Sequence, residues 1–114
     1  MKKDQSKIIR EQARRSATRE HSVPLYLTSS FIFDSADQGR AIFADEEEGM
    51  VYSRYANPNT TEFINKVCIL ENADAGLAFA SGMAAVFATF AAYIKSGDHI
   101  VSSRAIFGST HQLF

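Results

Sequence analysis

Gly76-Leu77-Ala78-Phe79-Ala80-Ser81-Gly82-Met83-Ala84-Ala85 decides the reading of this chain, because an apolar run of strand length turns there into an alanine-rich helix. The run from Gly76 to Ala80 predicts a strand, and Ala84 to Ile94 predicts a helix that ends by Lys95, with Gly97 expected as its C-terminal cap. Ser81-Gly82-Met83 is then the turn that opens the helix. The first N–H groups of a helix have no partner inside it, and the aligned peptide dipoles place partial positive charge there. A phosphate can therefore be held by the backbone of Gly82 and Met83 without any basic side chain, and glycine at 82 lets the anion come close.

Two further runs point the same way. Tyr52-Ser53-Arg54-Tyr55-Ala56-Asn57-Pro58-Asn59 places an arginine fork and phenolic hydroxyls just before a proline-led helix, a pairing suited to phosphate. His99-Ile100-Val101-Ser102-Ser103 predicts a second strand, and Ile106-Phe107-Gly108-Ser109-Thr110 follows it, so an aromatic stands past the strand's carboxyl end. Ligands of open α/β sheets sit at that end.

In this order and spacing the three motifs resemble the N-terminal part of the Cys/Met-metabolism family of enzymes that depend on pyridoxal 5′-phosphate (PLP). The likeness runs from about His21 to Phe114: Val23-Pro24-Leu25-Tyr26 and Thr28-Ser29-Ser30-Phe31 resemble the family's entry segment, Gly49 to Pro58 its phosphate-reaching loop, and Ala80 to Ala85 its cofactor cradle. The resemblance implies an α/β chain, part of an aspartate-aminotransferase-like (fold type I) domain, preceded by an extended arm. It divides the chain into residues 1–58, arm and phosphate-reaching loop, and 59–114, the start of the PLP-binding domain.

The site residues follow from the same resemblance. Ser81, Gly82 and Met83 are expected to bind the cofactor phosphate from their own subunit, Tyr52 and Arg54 to reach the phosphate of a neighbouring subunit, and Phe107 to stack on the pyridine ring. That arrangement implies a homodimer or homotetramer. No catalytic residue is assigned within the chain. The family's Schiff-base lysine and the acidic partner of the pyridine nitrogen lie downstream of the Phe107 motif, and Lys2, Lys3, Lys7, Lys66 and Lys95 are not in that lysine's context. The family commonly has tyrosine at position 107; phenylalanine keeps the stacking face but has no hydroxyl for proton transfer. This disfavours lyase roles and resembles the O-succinylhomoserine sulfhydrylase branch. The implied reaction is replacement of the γ-substituent of an activated homoserine ester, O-succinylhomoserine, by sulfide to give homocysteine in methionine biosynthesis. Cystathionine γ-synthase and the cystathionine and methionine γ-lyases are the alternatives within the family.

Composition agrees with a soluble, cytoplasmic protein: the net charge is −1, hydrophobic residues make up 46%, and no basic excess calls for a nucleic-acid partner. The single Cys68 excludes an internal disulfide, and beside Ile64, Val67 and Ile69 it reads as a packed helix residue. His21, His99 and His111 show no metal-ligand spacing, with His111 expected on the helix after Phe107, and Asp45-Glu46-Glu47-Glu48-Gly49 reads as a solvated turn. Met1 to Glu20 reads as a solvated or partly helical arm and Ser22 to Phe33 as extended. Asp34 to Phe43 predicts a helix capped by Asp34 or Ser35. A second helix is expected from Asn59, capped by Asn59 with Glu62 in a capping-box pattern, bearing Phe63, Val67 and Leu70 on its apolar face and ending near Asn72. Gly39 and Gly49 read as lone turn residues.

Two other classes were weighed. The uncharged stretch from Gly76 to Ile94 is close to the roughly 20 residues of a membrane span, but Ser81-Gly82 interrupts it and no aromatic or basic belt flanks it. A non-catalytic phosphate-binding module would use the same helix terminus, yet neither a Gly-x-Gly-x-x-Gly run nor a Gly-Lys-Ser/Thr loop is present, and Phe107 would then need another purpose. The two expected strands leave most of their pairing edges open, which reads as an N-terminal fragment of a larger α/β protein. The isolated polypeptide is accordingly expected to be poorly folded and inactive; a single cooperative thermal transition of this chain alone would contradict that.

Overall fold

The computed structural model describes residues 2–114 and contains α1 (Lys2–Arg10), α2 (Ala36–Phe43), α3 (Pro58–Glu71), α4 (Gly82–Tyr93) and α5 (Gly108–Leu113). They fall into two compact units, residues 1–76 and 77–114. The motif-based division after Pro58 differs from this one because α3 packs on α1 and so belongs with the arm.

In the first unit, local chemistry sets the helix ends. Ser35 caps α2 by accepting from the Gln38 N–H, as its sequence predicts, while Gln38 Oε1 accepts from the Asp34 N–H at 2.7 Å. Asn57, and not Asn59, caps α3: its side chain accepts from the Asn59 N–H, and Pro58 takes the first helical position, where a missing N–H costs nothing. Asn72 ends α3 in the left-handed conformation at φ 51°. Gly39 is not a turn residue. It lies buried within α2, and a Cβ there would stand 3.0 Å from the Phe33 ring, which in turn meets Phe43 edge-on at 6.1 Å. The acidic turn is partly tied down, since Arg40 donates to both carboxylate oxygens of Glu46, at 3.2 and 2.8 Å.

The face of α3 turned toward its own unit also differs from the expected one. Phe63 and Leu70 are 60% and 61% exposed, whereas Ile64 and Cys68 close on Gly76, where a Cβ would come within 3.3 Å of Ile64 and 3.1 Å of the Cys68 sulfur. The helix carries apolar residues on two adjacent faces, and periodicity does not say which neighbour each face meets. Cys68 is half-buried, in keeping with a packing role.

The second unit is α4 and α5, joined by a loop in which Gly97 has φ 98°. Gly97 follows α4 but does not cap it; Ile94 does, and Asp98 closes the turn by accepting from the Lys95 N–H at 2.7 Å. The strands expected at 76–80 and 99–103 do not form: among the described residues the sheet-like pairing is a single antiparallel bridge, Ser30 with Tyr52. A strand exists only through a partner's ladder of hydrogen bonds. Leu77 and Val101, in these apolar runs, are 83% and 98% exposed. Among the described residues Pro58 is the only buried apolar side chain, and no helix is long and apolar enough to cross a membrane.

With no apolar core, polar clamps hold the arm. Glu62, in the middle of α3, accepts the Ala13 N–H at 3.0 Å and pairs with Lys66. The hydrogen bonds from Lys66 and from the Ala13 amide hold its carboxyl below the usual carboxylate range. A depressed carboxylate pKa adds stability that is present above the unfolded value of 4.5 and lost as pH falls through the folded one. Protection of the Ala13 amide from hydrogen exchange should therefore persist above about pH 4.5 and fade below it. Glu62→Gln should remove that acid dependence and speed tryptic cleavage at Arg10, Arg14 and Arg15.

Candidate cofactor site

Each predicted site residue sits on one of the two units. On the second, α4 begins where the turn was read: Ser81 has extended backbone (φ −151°, ψ 155°) and its Oγ accepts from the Ala84 N–H at 3.2 Å. A hydroxyl accepts through a lone pair and keeps its hydrogen, so capping leaves Ser81 O–H free to donate to an anion. The N–H groups of Gly82 and Met83, in the first turn, receive no helical acceptor. A Cβ built on Gly82 meets nothing within 4 Å, so the approach to these amides is open on that side.

Phe107 immediately precedes α5, its carbonyl accepting from the Thr110 and His111 N–H groups at 2.9 and 3.1 Å. His111 lies on this helix as expected. Met83 and α5 meet through the Met83 sulfur and the Thr110 hydroxyl, 4.0 Å apart. The structure thus brings the start of α4 and the helix that Phe107 introduces into contact. The Phe107 ring is 69% exposed, presenting an aromatic surface at the start of α5. Open amides at a helix start, a free hydroxyl and an exposed ring fit a group that is both a phosphate ester and a flat heteroaromatic ring.

On the first unit, Tyr52 and Arg54 flank Ser53 in the loop that enters α3. The Arg54 guanidinium lies 4.8 Å from the centre of the Tyr52 ring and 5.4 Å from that of Tyr55. Among the described residues no oxygen accepts from it, so its fork is held in place by stacking and its donors remain available. The loop itself is tied to the segment at 24–31. Phe31 N–H donates to the Val51 carbonyl at 3.1 Å, Ser53 N–H to the Ser29 carbonyl at 2.9 Å, and Ser53 Oγ to the Thr28 carbonyl.

Sequence reading gave the cap beneath this loop to Asn59 and gave Asn57 no role. Asn59 Oδ1 accepts from the Tyr26 N–H at 2.8 Å and its Nδ2 donates to the Pro24 carbonyl at 2.7 Å, while Asn57 Nδ2 donates to the Tyr26 carbonyl and to Ser53 Oγ, both at 3.0 Å. The signal for the cap was legible as an asparagine directly before a proline at the first helical position. The contacts to Tyr26 had no local signal. Among the described residues no group of three or more His, Cys, Asp or Glu side chains could hold a metal.

Known proteins match this chain closely. The pattern of the Cys/Met metabolism PLP-dependent enzymes fits residues 5–114. An L-methionine gamma-lyase of Fusobacterium nucleatum is 47% identical over 81% of this chain and 23% of its own length. An O-succinylhomoserine sulfhydrylase of Pseudomonas aeruginosa is 43% identical over 93% of this chain and 26% of its own length. A crystal structure described as an O-acetylhomoserine (thiol)-lyase of Campylobacter jejuni, with a pyridoxyl-lysine phosphate, superposes with a TM-score of 0.87. It has 31% identity and is covered over 27% of its length by 96% of this chain. The chain therefore spans about a quarter of the length of these proteins. With residues 5–114 matching the family's pattern and these relatives alongside, the chain belongs to the Cys/Met-metabolism family of enzymes, whose cofactor is pyridoxal phosphate.

Proposed function

We propose that the protein carrying this chain is a fold type I transsulfuration enzyme that exchanges the succinate of O-succinylhomoserine for sulfide. The Cγ–O bond to succinate breaks before a C–S bond forms at Cγ, and the products are homocysteine and succinate. The observation that carries this choice is Phe107 in place of the family's commoner tyrosine, supported by 43% identity to the Pseudomonas sulfhydrylase across 93% of the chain.

PLP, when bound, supplies an electron sink for charge developing at the substrate's α-carbon. This chain's residues serve binding and orientation. The amides of Gly82 and Met83 and the Ser81 hydroxyl hold the phosphate, and the α4 dipole favours its charge there. Phe107 covers one face of the ring and, having no hydroxyl, moves no proton, so proton transfer falls to groups elsewhere in the enzyme. Tyr52 and Arg54 hold the phosphate of a neighbouring subunit's cofactor, which makes a homodimer the smallest complete unit, in the cytoplasm.

A second reading, methionine γ-lyase, is favoured by the 47% identity to the Fusobacterium enzyme. Purified protein supplied with O-succinylhomoserine and sulfide should form homocysteine; methanethiol and 2-oxobutyrate from methionine, without homocysteine formation, would establish the second reading instead. Arg54→Ala should weaken PLP retention about 10- to 100-fold, the range for a charge-assisted hydrogen bond. Retention unchanged by that substitution would overturn the phosphate assignment. Ser81→Ala should both loosen the cofactor and cost about 1 kcal/mol in unfolding experiments, because the cap of α4 is lost with it.

A further inference from the structure

The bonds behind Arg54 exceed what a helix cap requires. Capping α3 uses only Asn57 Oδ1, which accepts from the Asn59 N–H at 3.0 Å. Both hydrogens of the Asn57 amide are spent elsewhere, on the Tyr26 carbonyl and on Ser53 Oγ. Ser53 is thereby fixed at three points: its N–H on Ser29, its hydroxyl hydrogen on Thr28, and its hydroxyl oxygen under Asn57. It is also the residue between Tyr52 and Arg54. Asn57 is 7% exposed, the one buried polar side chain among the described residues, so its own amide bonds are partly shielded from water.

An arginine that grips a phosphate loses rotamer freedom on binding, and that loss is smaller when its backbone and guanidinium plane are set beforehand. Here Ser53 sets the backbone and the Tyr52 and Tyr55 rings set the plane. We propose that Asn57 is a positioning residue for cofactor recognition: through Ser53 it holds the Tyr52–Arg54 segment in the geometry that meets the PLP phosphate. The inference rests on the assignment of Arg54 to that phosphate.

Asn57→Asp separates this role from capping, since aspartate caps as well as asparagine but has no hydrogens for Tyr26 and Ser53. Ser53→Ala breaks the same link from the other side. The readout is the affinity of the cofactor-depleted protein for PLP relative to pyridoxal, followed by tyrosine fluorescence, because the ratio isolates recognition of the phosphate. Arg54→Ala should lower the ratio, and Asn57→Asp and Ser53→Ala should each lower it about tenfold, the scale of one or two buried hydrogen bonds. In the Arg54→Ala background, Asn57→Asp should cost less than about twofold more, as expected of two residues acting as one. A ratio unchanged by Asn57→Asp or Ser53→Ala, while Arg54→Ala lowers it, would overturn the positioning role and leave the phosphate assignment standing. Equal losses in both backgrounds would also overturn it, since Asn57 would then act independently of Arg54. A ratio unchanged by Arg54→Ala itself would remove the assignment and the inference with it. Should Asn57→Asp fail to fold, Ser53→Ala decides the matter.

Discussion

The carboxamide of Asn57 is the constraint on which the arm, the loop and the third helix all depend. Its oxygen receives the first turn of α3, and its nitrogen bonds the Tyr26 carbonyl and the Ser53 hydroxyl. One planar group therefore fixes three stretches of chain at once. A buried amide left unpaired costs on the order of 1–3 kcal/mol, so the three partners are selected together: no one of them can move without leaving part of the buried Asn57 amide unpaired. Asn59 completes the arrangement by taking the Tyr26 N–H, so that both backbone polar groups of Tyr26 are held by side chains from α3 or its cap.

This reliance on polar clamps follows from what the unit lacks. Leu27 and Ile32 stand 91% and 97% exposed, and among the described residues no aliphatic or aromatic side chain other than the Pro58 ring is buried. Hydrophobic burial is the dominant favourable term in folding. Where it is missing, order comes from caps, from side chain to backbone hydrogen bonds such as Glu62 to Ala13, and from single ring contacts such as Phe33 with Phe43. Helix α4 makes the same point from the other unit. Its twelve residues are apolar on every side, a pattern suited to an interior, and yet none is buried.

The two candidate phosphate-binding elements rely on different physics. The start of α4 offers backbone amides and a dipole, which bind a phosphate by position and need no charged side chain. Arg54 offers a full charge on a long side chain, which is useful only if it is held in place. Two tyrosine rings and the Ser53 backbone provide that restraint. Phe107 adds a flat apolar surface without a proton to exchange.

Sequence alone determined the features whose partners lie within one helical turn. Ser35 and Ser81 were legible as caps or turn residues because a cap bonds an N–H three positions on, and Asn72 as the end of α3 because periodicity stops there. The order of the three motifs, which depends on no folding at all, identified the family. Tertiary structure decided the rest. Asn57 took the cap expected of Asn59 because Asn59 was drawn to Tyr26, 33 residues away, and Gly39 became a packing position because Phe33 lies against α2. The inward face of α3 became Ile64 and Cys68 because Gly76 returns against it. The apolar runs at 76–80 and 99–103 remained unpaired because an apolar run records a tendency to be buried, while a strand requires a partner's hydrogen bonds, and those are set by where distant parts of a chain come to lie.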